Sequence, residues 1–408
     1  MKCRHCETQL VHNFIDLGFA PPSNAYLTVE QLKQPEVYFP LKVKVCEQCW
    51  LVQTEDYAQA DELFNADYAY FSSTSSGWLT HAANYSKAII KHLKLDNRSH
   101  VIEIASNDGY LLKNFVEADI PCLGIEPTAS TASAAEKLGI PVLRTFFGET
   151  IGRQFAETEQ QADLIIGNNV YAHVPDINDF TRGLKAALKT HGTITLEFPH
   201  LMQLIQLVQF DTIYHEHFSY LSLYTVIKIF AAAGLRIWDV ETLPTHGGSL
   251  RVYGCHSKDK RSNTEAVNSM LALEVQNGLQ TLAPYQQFQI RADNVKNDLL
   301  TFLLEQKRNG KTVVAYGAAA KGNTLLNFAG VKPDLLPFVC DAATAKQGKY
   351  MPGSHIPILS PDSLSKFIPD YLLILPWNIA TELKQQNDKL SKLGTQFVTA
   401  VPQVTIYD

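Results

Sequence analysis

Short apolar runs alternate with helical patterns through the middle of the chain. These runs have the length and residue types of buried strands, and they lie at 101–106, 122–127, 141–147, 162–169 and 192–200. Stretches with the apolar spacing of a helix separate most of them. Because strands that alternate with helices form parallel sheets with helices on both faces, we predict an α/β fold with a doubly wound sheet. Residues 236–243 and 249–256 are expected to add late antiparallel strands.

The same patterns divide the chain into three units. Residues 1–75 predict short strands and loops, and helical spacing over 81–93 opens the middle unit. A polar stretch at 257–275 predicts a boundary, and a long helix over about 282–309 follows it. The last unit, a smaller α/β unit, is predicted from a strand–glycine turn–helix pattern at 311–330 and strands at 335–342, 357–360 and 371–378. We therefore expect domains at 1–75, 76–260 and 261–408.

The composition limits the class of protein. The chain has 408 residues, of which 46% are hydrophobic and 19% charged, and this excludes wholesale disorder. Its net charge of −6 argues against a general nucleic-acid binder, since such proteins usually carry a basic excess. No apolar run approaches the ~18 residues needed to span a bilayer, and the amino terminus lacks the apolar core of a secretory signal. We expect a cytoplasmic protein without nucleic-acid or membrane partners, present as a monomer or a weak oligomer.

Four of the seven cysteines form two pairs with the spacing of a metal site. Cys3 and Cys6 form the first pair, and Cys46 and Cys49 form the second. A Cys-x2-Cys turn directs two thiolates at one point, so two such turns complete a closed tetrahedral zinc shell. Disulfides are disfavoured in a cytoplasmic protein, and neither pair opens a helix after a strand as a redox pair does. We predict a structural zinc ion, which adds folding energy to a unit with a thin core.

The first predicted strand of the middle unit ends in a turn typical of cofactor sites. The sequence VIEIASNDG resembles the first motif of class I S-adenosylmethionine methyltransferases, and Glu126 follows the second strand, where an acid binds ribose hydroxyls. NAD-binding proteins place an acid similarly, but this turn lacks GxGxxG, and the charge of Asp108 would repel a diphosphate. The methyltransferase interpretation is therefore favoured. The candidate cofactor-binding residues are Glu103, Ala105, Asn107, Asp108, Gly109 and Glu126, together with Asn168 and Asn169 after the fourth strand.

The segment 211–222 concentrates ionisable groups. In an extended conformation, Tyr214 and Glu216 would share one face and His215 and His217 the other. The segment follows the fifth strand, at the carboxyl edge of the sheet, where α/β enzymes keep their sites. Acid–base chemistry by a histidine is one interpretation, while an exposed polar loop and a His-x-His metal site are the alternatives. His173, after the fourth strand, is expected to approach the same site, unless it only marks a helix entry.

A series of motifs occurs in the same order in a known family. The motifs are CxxC…CxxCW, DYAYFSS, EIASNDG, GIEP, NNVYAHVPD, DTIYHEHFSY, HGGSLRVY and YGAAAKGNTLL. Across essentially its whole length the chain resembles the sugar C-methyltransferases of deoxysugar biosynthesis, and among them those that methylate carbon 3 of a dTDP-3-amino-4-keto sugar in D-tetronitrose biosynthesis. The resemblance implies an amino-terminal zinc-binding domain, a class I methyltransferase domain that binds S-adenosylmethionine, and a carboxy-terminal Rossmann-like domain.

The resemblance also implies a reaction and the residues that perform it. A base removes the hydrogen on carbon 3, which the 4-keto group acidifies, and the enolate attacks the sulfonium methyl group. His217 matches the family's general base, and Glu216, Tyr214, His173 and Tyr68 match its other active-site residues. The implied substrate is a nucleotide-linked keto sugar, with dTDP or GDP as the nucleotide. The candidate substrate-binding residues are Phe71, Ser72, His246, Arg251, Lys321 and Asn323.

Several alternatives remain open at this point. Lys321, between Gly317 and Gly322, is expected to meet a diphosphate, unless the turn is a relic that only packs a helix. Arg251 is a second candidate phosphate partner, or a surface arginine at a strand end. An O- or N-methyltransferase acting on another small molecule is the main rival function. A non-enzymatic zinc-organised binding protein and an NAD-dependent epimerase are weaker rivals.

Overall fold

The computed structural model describes residues 1–55 and 71–407. The strands of these residues are β1 (His12–Ala20), β2 (Phe39–Val45), β3 (Val52–Thr54), β4 (Val101–Ile104), β5 (Cys122–Ile125), β6 (Val142–Leu143), β7 (Ala162–Asn168), β8 (Leu188–Pro199), β9 (Ser219–Tyr220), β10 (Leu235–Leu243), β11 (Ser249–His256), β12 (Val313–Tyr316), β13 (Val339–Cys340), β14 (Ile358–Leu359), β15 (Tyr371–Ile374), β16 (Gln396–Thr399) and β17 (Thr405–Tyr407). They form three sheets.

Helices connect most of these strands. They are α1 (Ser76–Leu93), α2 (Lys113–Val116), α3 (Ala129–Glu136), α4 (Glu149–Glu157), α5 (Ile177–Ala187), α6 (Leu201–Gln206), α7 (Leu223–Ala232), α8 (Glu265–Gln276), α9 (Ala283–Gln286), α10 (Phe288–Arg308), α11 (Ala320–Ala329), α12 (Ser363–Lys366), α13 (Ala380–Gln386) and α14 (Asp388–Lys392). The long helix expected over 282–309 is divided at Gln287 into α9 and α10. The polar stretch 257–275 ends inside α8, which buries Val267 and Met270.

The amino-terminal sheet recruits a strand from far along the chain. Its order is β1-β2-β3-β9, and every pairing is antiparallel. In the last pairing Val52 lies opposite Tyr220, and Gln53 lies opposite Ser219. Because β9 follows residues 214–217 directly, this pairing attaches the histidine-rich segment to the amino-terminal unit.

The central sheet has the order β10-β11-β8-β7-β4-β5-β6. The strands from β4 to β8 are parallel, whereas β11 runs antiparallel to both β8 and β10. All four residues of β4 are buried, as expected for a parallel strand covered on both faces. The predicted α/β fold and the two late antiparallel strands are confirmed. The carboxyl ends of β4, β5, β7 and β8 therefore meet at one edge, which carries the candidate site.

The carboxy-terminal sheet is smaller, with the order β14-β13-β12-β15-β16-β17. Only its last pairing, β16 with β17, is antiparallel. This sheet shares an apolar core with the amino-terminal unit, since Phe14 of β1 stacks on Phe288 of α10 with ring centroids 4.4 Å apart. The amino-terminal unit also packs on the central unit, because the buried Cys46 and Cys49 belong to the same apolar cluster as Ile102. The candidate site lies where these three units meet.

Among the described residues, no helix has both the length and the apolar character that crossing a membrane requires.

Candidate active site and metal centre

The four paired cysteines converge at one point. Their Sγ atoms all lie within 4.8 Å of one another, with Cys3 3.5 Å from Cys49 and Cys6 3.5 Å from Cys46. Tetrahedral zinc with Zn–S bonds of about 2.3 Å separates its sulfur ligands by about 3.8 Å, so the four thiolates fit a zinc ion. They also close its coordination shell. The metal centre is therefore structural, as the spacing predicted.

The backbone of the two cysteine turns repeats one geometry. The amide of Glu7 donates to the Cys3 carbonyl at 2.9 Å, and the amide of Trp50 donates to the Cys46 carbonyl at 2.9 Å. Glu7 and Trp50 both have a φ of 60°. Each left-handed residue turns the chain back immediately after its cysteine pair, and the two turns therefore present their thiolates to the same point.

The cofactor candidates line the carboxyl edge of β4. The chain takes left-handed φ angles of 56° at Ala105, 50° at Asn107 and 78° at Gly109. A Cβ on Gly109 would lie 2.5 Å from Ile140 Cδ1, so the turn needs glycine there. Glu126 accepts from the Asn107 amide at 2.9 Å, which fixes the acid at the end of β5 beside the turn.

Buried polar atoms at this edge fit the predicted cofactor. Both carboxylate oxygens of Glu103 and both amide atoms of Asn168 are buried without a hydrogen-bond partner among the described residues. Burial, followed by the nearby charges of Glu126 and Asp108, raises the pKa of Glu103 well above its ordinary value. Three carboxyl groups that converge in this way favour a ligand with positive charges. The ammonium and sulfonium groups of S-adenosylmethionine meet that requirement.

The chain after residue 70 joins the cofactor turn. The Ser72 amide donates to Asn107 Oδ1 at 2.9 Å, and the Ser73 amide donates to Asp108 Oδ2 at 3.1 Å. Phe71 and Ser72, expected to contact substrate, therefore lie next to the cofactor edge. Tyr68 falls outside the described residues.

Two histidines form the centre of the site. His217 Nδ1 lies 2.7 Å from the Thr212 carbonyl, and His173 Nδ1 lies 2.8 Å from the Glu216 carbonyl. A carbonyl can only accept, so both Nδ1 atoms carry the proton, and the Nε2 lone pair is the basic position of each ring. Their ring centroids are 4.5 Å apart. Burial lowers the pKa of His173 to about 4 and that of His217 well below its ordinary value, so both rings are neutral at pH 7.

The segment around His217 is a turn rather than an extended strand. The His217 amide donates to the Tyr214 carbonyl at 2.9 Å, and the centroids of the Tyr214 and His217 rings lie 4.0 Å apart. The face assignment that an extended conformation would give is therefore wrong. The His215 side chain points away from the other two histidines, and its Nε2 lies 3.2 Å from the Pro40 carbonyl oxygen. The described residues hold no His-x-His metal cluster, because the metal-ligand group found among them is the four cysteines.

Glu216 is a buried carboxyl beside the histidines, with 3% of its surface exposed. Asn24 Nδ2 lies 3.0 Å from Oε1 and 2.8 Å from Oε2 of this carboxylate. Burial raises the pKa of Glu216 to about 7, and the hydrogen bond from Asn24 acts against that rise. The group therefore changes charge near neutral pH.

His246 occupies a strained turn at the mouth of the central sheet. Its φ is 54°, and its Nε2 lies 3.4 Å from Asn169 Nδ2. Its ring packs edge-to-face on Trp78, with the ring centroids 5.4 Å apart. The preceding residue, Thr245, donates to the buried Glu197 at 3.0 Å. The contact with Asn169 joins a substrate candidate to a cofactor candidate.

Arg251 differs from the sequence expectation. It is 5% exposed, and it forms ion pairs with Glu197 at 2.9 Å and with Glu241 at 2.8 Å. The alternative of a surface arginine at a strand end is therefore excluded, because the side chain is buried. Two carboxylates already compensate its charge, which leaves it poorly suited to a phosphate.

The two candidates on α11 play different parts. Lys321 donates to Asn378 at 3.0 Å, lies over the Trp377 ring at 4.8 Å, and its charge contributes to the lowered pKa of His217. Lys321 therefore belongs to the site. Asn323 is fully buried and donates to the Ser23 carbonyl at 2.6 Å, so its amide fastens the amino-terminal unit instead of facing a substrate.

Several residues around the site were not predicted. They are Asn24, Trp78, Glu197, Asp211 and Trp377. Trp377 Nε1 donates to the buried Asp211 at 2.7 Å, and this bond joins the carboxy-terminal unit to the loop before the histidines. Asp211 lies in the motif DTIYHEHFSY, and Glu197 lies in the predicted strand 192–200. The residues near them in sequence do not indicate their hydrogen-bond partners.

Comparison with known proteins places the chain in a family. Family models match as a zinc binding domain over residues 3–64, a methyltransferase domain over 77–240 and a C-methyltransferase C-terminal domain over 244–402. C-methyltransferase NovU of Streptomyces niveus is 33% identical over 402 residues, which cover 98% of this chain and 96% of NovU.

Solved structures align with a smaller part of the chain. A SAM dependent methyltransferase from Archaeoglobus fulgidus is 16% identical, covering 40% of this chain and 71% of its own with a TM-score of 0.33. Magnesium protoporphyrin IX methyltransferase from Synechocystis, with bound SAM, is 12% identical, covering 43% and 79% with a TM-score of 0.32. The full-length likeness to NovU and the three family models decide the assignment. The protein belongs to the C-methyltransferase family, and it is an S-adenosylmethionine-dependent enzyme with a structural zinc centre.

Proposed function

We propose that the enzyme methylates carbon 3 of a nucleotide-linked 4-keto-6-deoxy sugar, with dTDP or GDP as the nucleotide. The observation that carries the proposal is the tautomer of His217. The Thr212 carbonyl holds the proton on Nδ1, which leaves a basic Nε2 in a site that adjoins the cofactor edge. A C-methyltransferase needs a base for a carbon-bound hydrogen, and a hydrogen next to a ketone is acidic enough for a neutral imidazole.

The proposed mechanism assigns a task to each group. S-adenosylmethionine supplies an electrophilic methyl group when bound. His217 Nε2 takes the proton from carbon 3, and the lowered pKa of His217 keeps the ring neutral at pH 7, so that the Nε2 lone pair is available. Tyr214, beside the His217 ring, is the proposed donor to the ketone oxygen, where charge develops in the enolate. Tyr68 is proposed to share this task.

Glu216 and His173 complete the proposed catalytic set. The Glu216 carbonyl accepts from His173 Nδ1 and so orients that ring toward His217. The Glu216 carboxylate is proposed to hold a sugar hydroxyl or amino group. This arrangement fixes the acceptor carbon relative to the base, and such positioning contributes several kcal/mol to a barrier reduction.

The remaining site residues are also proposals. Phe71, Ser72, His246 and Lys321 are proposed to contact the substrate, with Lys321 near its diphosphate. The sugar nucleotide is supported by the family membership and by this cation at the start of α11. The division into domains 1–75, 76–260 and 261–408 is likewise proposed, as is a cytoplasmic location.

Mass spectrometry tests the reaction. The protein is mixed with S-adenosylmethionine and a panel of dTDP- and GDP-linked 4-keto-6-deoxy sugars, with and without a 3-amino group. We expect a gain of one methyl group at carbon 3 of one panel member. In D2O without the cofactor, the same sugar should take up deuterium at that carbon. A methyl group on oxygen or nitrogen, or no transfer to any member, would overturn the proposal.

Two histidines that are close in sequence, His217 and His215, supply the matched variants. His217→Asn should lower turnover by roughly 100- to 10,000-fold, the usual contribution of a general base, and keep cofactor affinity. His215→Asn, two residues away but outside the site, should retain turnover within about threefold, since it touches no reacting group. Equal losses in the two variants would remove His217 as the base.

A further inference from the structure

We propose that Asn24, delivered by the zinc-binding unit, is a positioning residue for the carboxylate of Glu216. The inference rests on the proposed function, in which Glu216 holds the sugar. One amide group of Asn24 reaches both carboxylate oxygens, at 3.0 and 2.8 Å. An NH2 group that donates to both oxygens holds the carboxylate plane in one orientation and favours its ionised form.

The loop that carries Asn24 is fastened independently of this contact. On one side, Asn323 Nδ2 donates to the Ser23 carbonyl at 2.6 Å. On the other side, Tyr26 donates to the Ala318 carbonyl at 2.6 Å. These bonds anchor the loop to α11 and to the turn before it. Removing the Asn24 side chain should therefore leave the loop in place and remove only its hold on Glu216.

Further contacts attach the rest of the histidine-rich segment to the same unit. The Thr54 hydroxyl donates to the His217 carbonyl at 3.2 Å, and the Thr54 amide donates to the Phe218 carbonyl at 3.2 Å. The Pro40 carbonyl oxygen lies 3.2 Å from His215 Nε2. The zinc-binding unit thus supports the backbone of this segment, and through the Asn24 side chain it also binds a carboxylate of the proposed catalytic set.

A set of Asn24 variants tests the inference. Asn24→Ala should lower kcat by roughly 10- to 100-fold, which is the effect expected for a hydrogen bond to a charged group, and change KM by less than about threefold. Asn24→Asp keeps the shape but places a second negative charge against Glu216, so its loss should be larger. Asn13→Ala is the matched control, because this exposed asparagine of β1 accepts from Lys44 at 3.0 Å, a surface contact away from Glu216. It should behave as the wild type.

A double-mutant cycle separates positioning from a general structural role. In a Glu216→Ala background, Asn24→Ala should have no further effect on kcat or on the unfolding midpoint, because the partner is gone. The stability cycle is measured without substrate, so it tests the contact even if the wild type methylates none of the keto sugars. Wild-type kcat in Asn24→Ala, or the same loss of stability in both backgrounds, would overturn the inference. Failure of the wild type on the sugar panel would instead overturn the proposed function.

Discussion

Replacement of Glu197 by glutamine removes one charge from the buried network beside His246 without changing its shape. The Glu197 carboxylate is fully buried and accepts from His81 at 2.9 Å, from Arg251 at 2.9 Å and from Thr245 at 3.0 Å. An amide offers one acceptor atom to these three donors and turns its own NH2 group toward one of them. Arg251 then keeps only its ion pair with Glu241, a side chain that is 43% exposed.

The magnitude follows from the burial of this pair. Breaking a buried ion pair by removing one partner costs about 3–5 kcal/mol, because the other charge stays buried without compensation. The remaining bond of Arg251 to Glu241 places the expected loss at the lower end, about 3 kcal/mol. For a unit of about 150–250 residues this corresponds to a fall in Tm of roughly 6–12 °C.

Thermal unfolding followed by circular dichroism measures the loss. Glu241→Gln is the matched control, since it removes the other carboxylate of the same arginine at an exposed position, and it should cost less than about 1 kcal/mol. Equal shifts in Tm for the two variants, or a shift below about 2 °C for Glu197→Gln, would refute the reasoning.

The pH dependence of stability gives a second readout for the same variant. Burial acts against ionisation of Glu197, but the hydrogen bond from His81 and the charge of Arg251 outweigh it and hold the pKa of Glu197 below its ordinary value. A depressed folded-state pKa stabilises the protein above the unfolded-state value of about 4.3, and this contribution is lost as the pH falls through the folded-state pKa. Glu197→Gln should therefore show a smaller loss of stability on acidification than the wild type.

Three further outcomes are expected. Gly109→Ala should weaken S-adenosylmethionine binding by at least about tenfold in calorimetry, whereas Gly139→Ala, with the same φ of 78° but open space around it, should not. Cys46→Ser should lower zinc content and Tm, while Cys255→Ser, buried away from the metal, should keep its zinc; equal zinc contents would contradict the four-cysteine centre. Turnover should rise with pH around the Glu216 pKa of about 7, since the carboxylate is the form that accepts from its partner, and Glu216→Gln should abolish this midpoint.

The sequence predicted the elements whose signal is local. The two cysteine pairs, the buried strands of the central sheet and the glycine turn after β4 each depend on residues close together in the chain. The short strands β16 and β17 and the helices α13 and α14 were missed, because they lie in a carboxy-terminal stretch without strong periodicity. The place of the two strands is decided by tertiary pairing, of β16 with β15 and of β17 with β16, rather than by their own pattern.

The parts of the site that escaped prediction depend on distant contacts. Asn24 and Glu216 are 192 positions apart, and nothing in the sequence near either residue points to the other. Arg251 was predicted as a phosphate partner, with a surface position as the alternative, but tertiary packing places it against the carboxylates of Glu197 and Glu241. His217 was predicted as the base from the family resemblance, and its tautomer depends on the Thr212 carbonyl, which the turn brings within 2.7 Å of Nδ1.

The pairing of β3 with β9 has a consequence for how the chain is made. On the ribosome, β1, β2 and β3 emerge early, but their sheet lacks its fourth strand until residue 220 has been synthesised. At about 5–20 residues per second, the edge of β3 stays open for on the order of ten to thirty seconds. During that interval, zinc and the three-stranded sheet must hold the unit together. Val52, which is buried in the complete fold, lacks its pairing partner Tyr220 until then. A fragment that ends near residue 75 would keep this open edge permanently, and the amino-terminal unit should therefore aggregate when expressed alone.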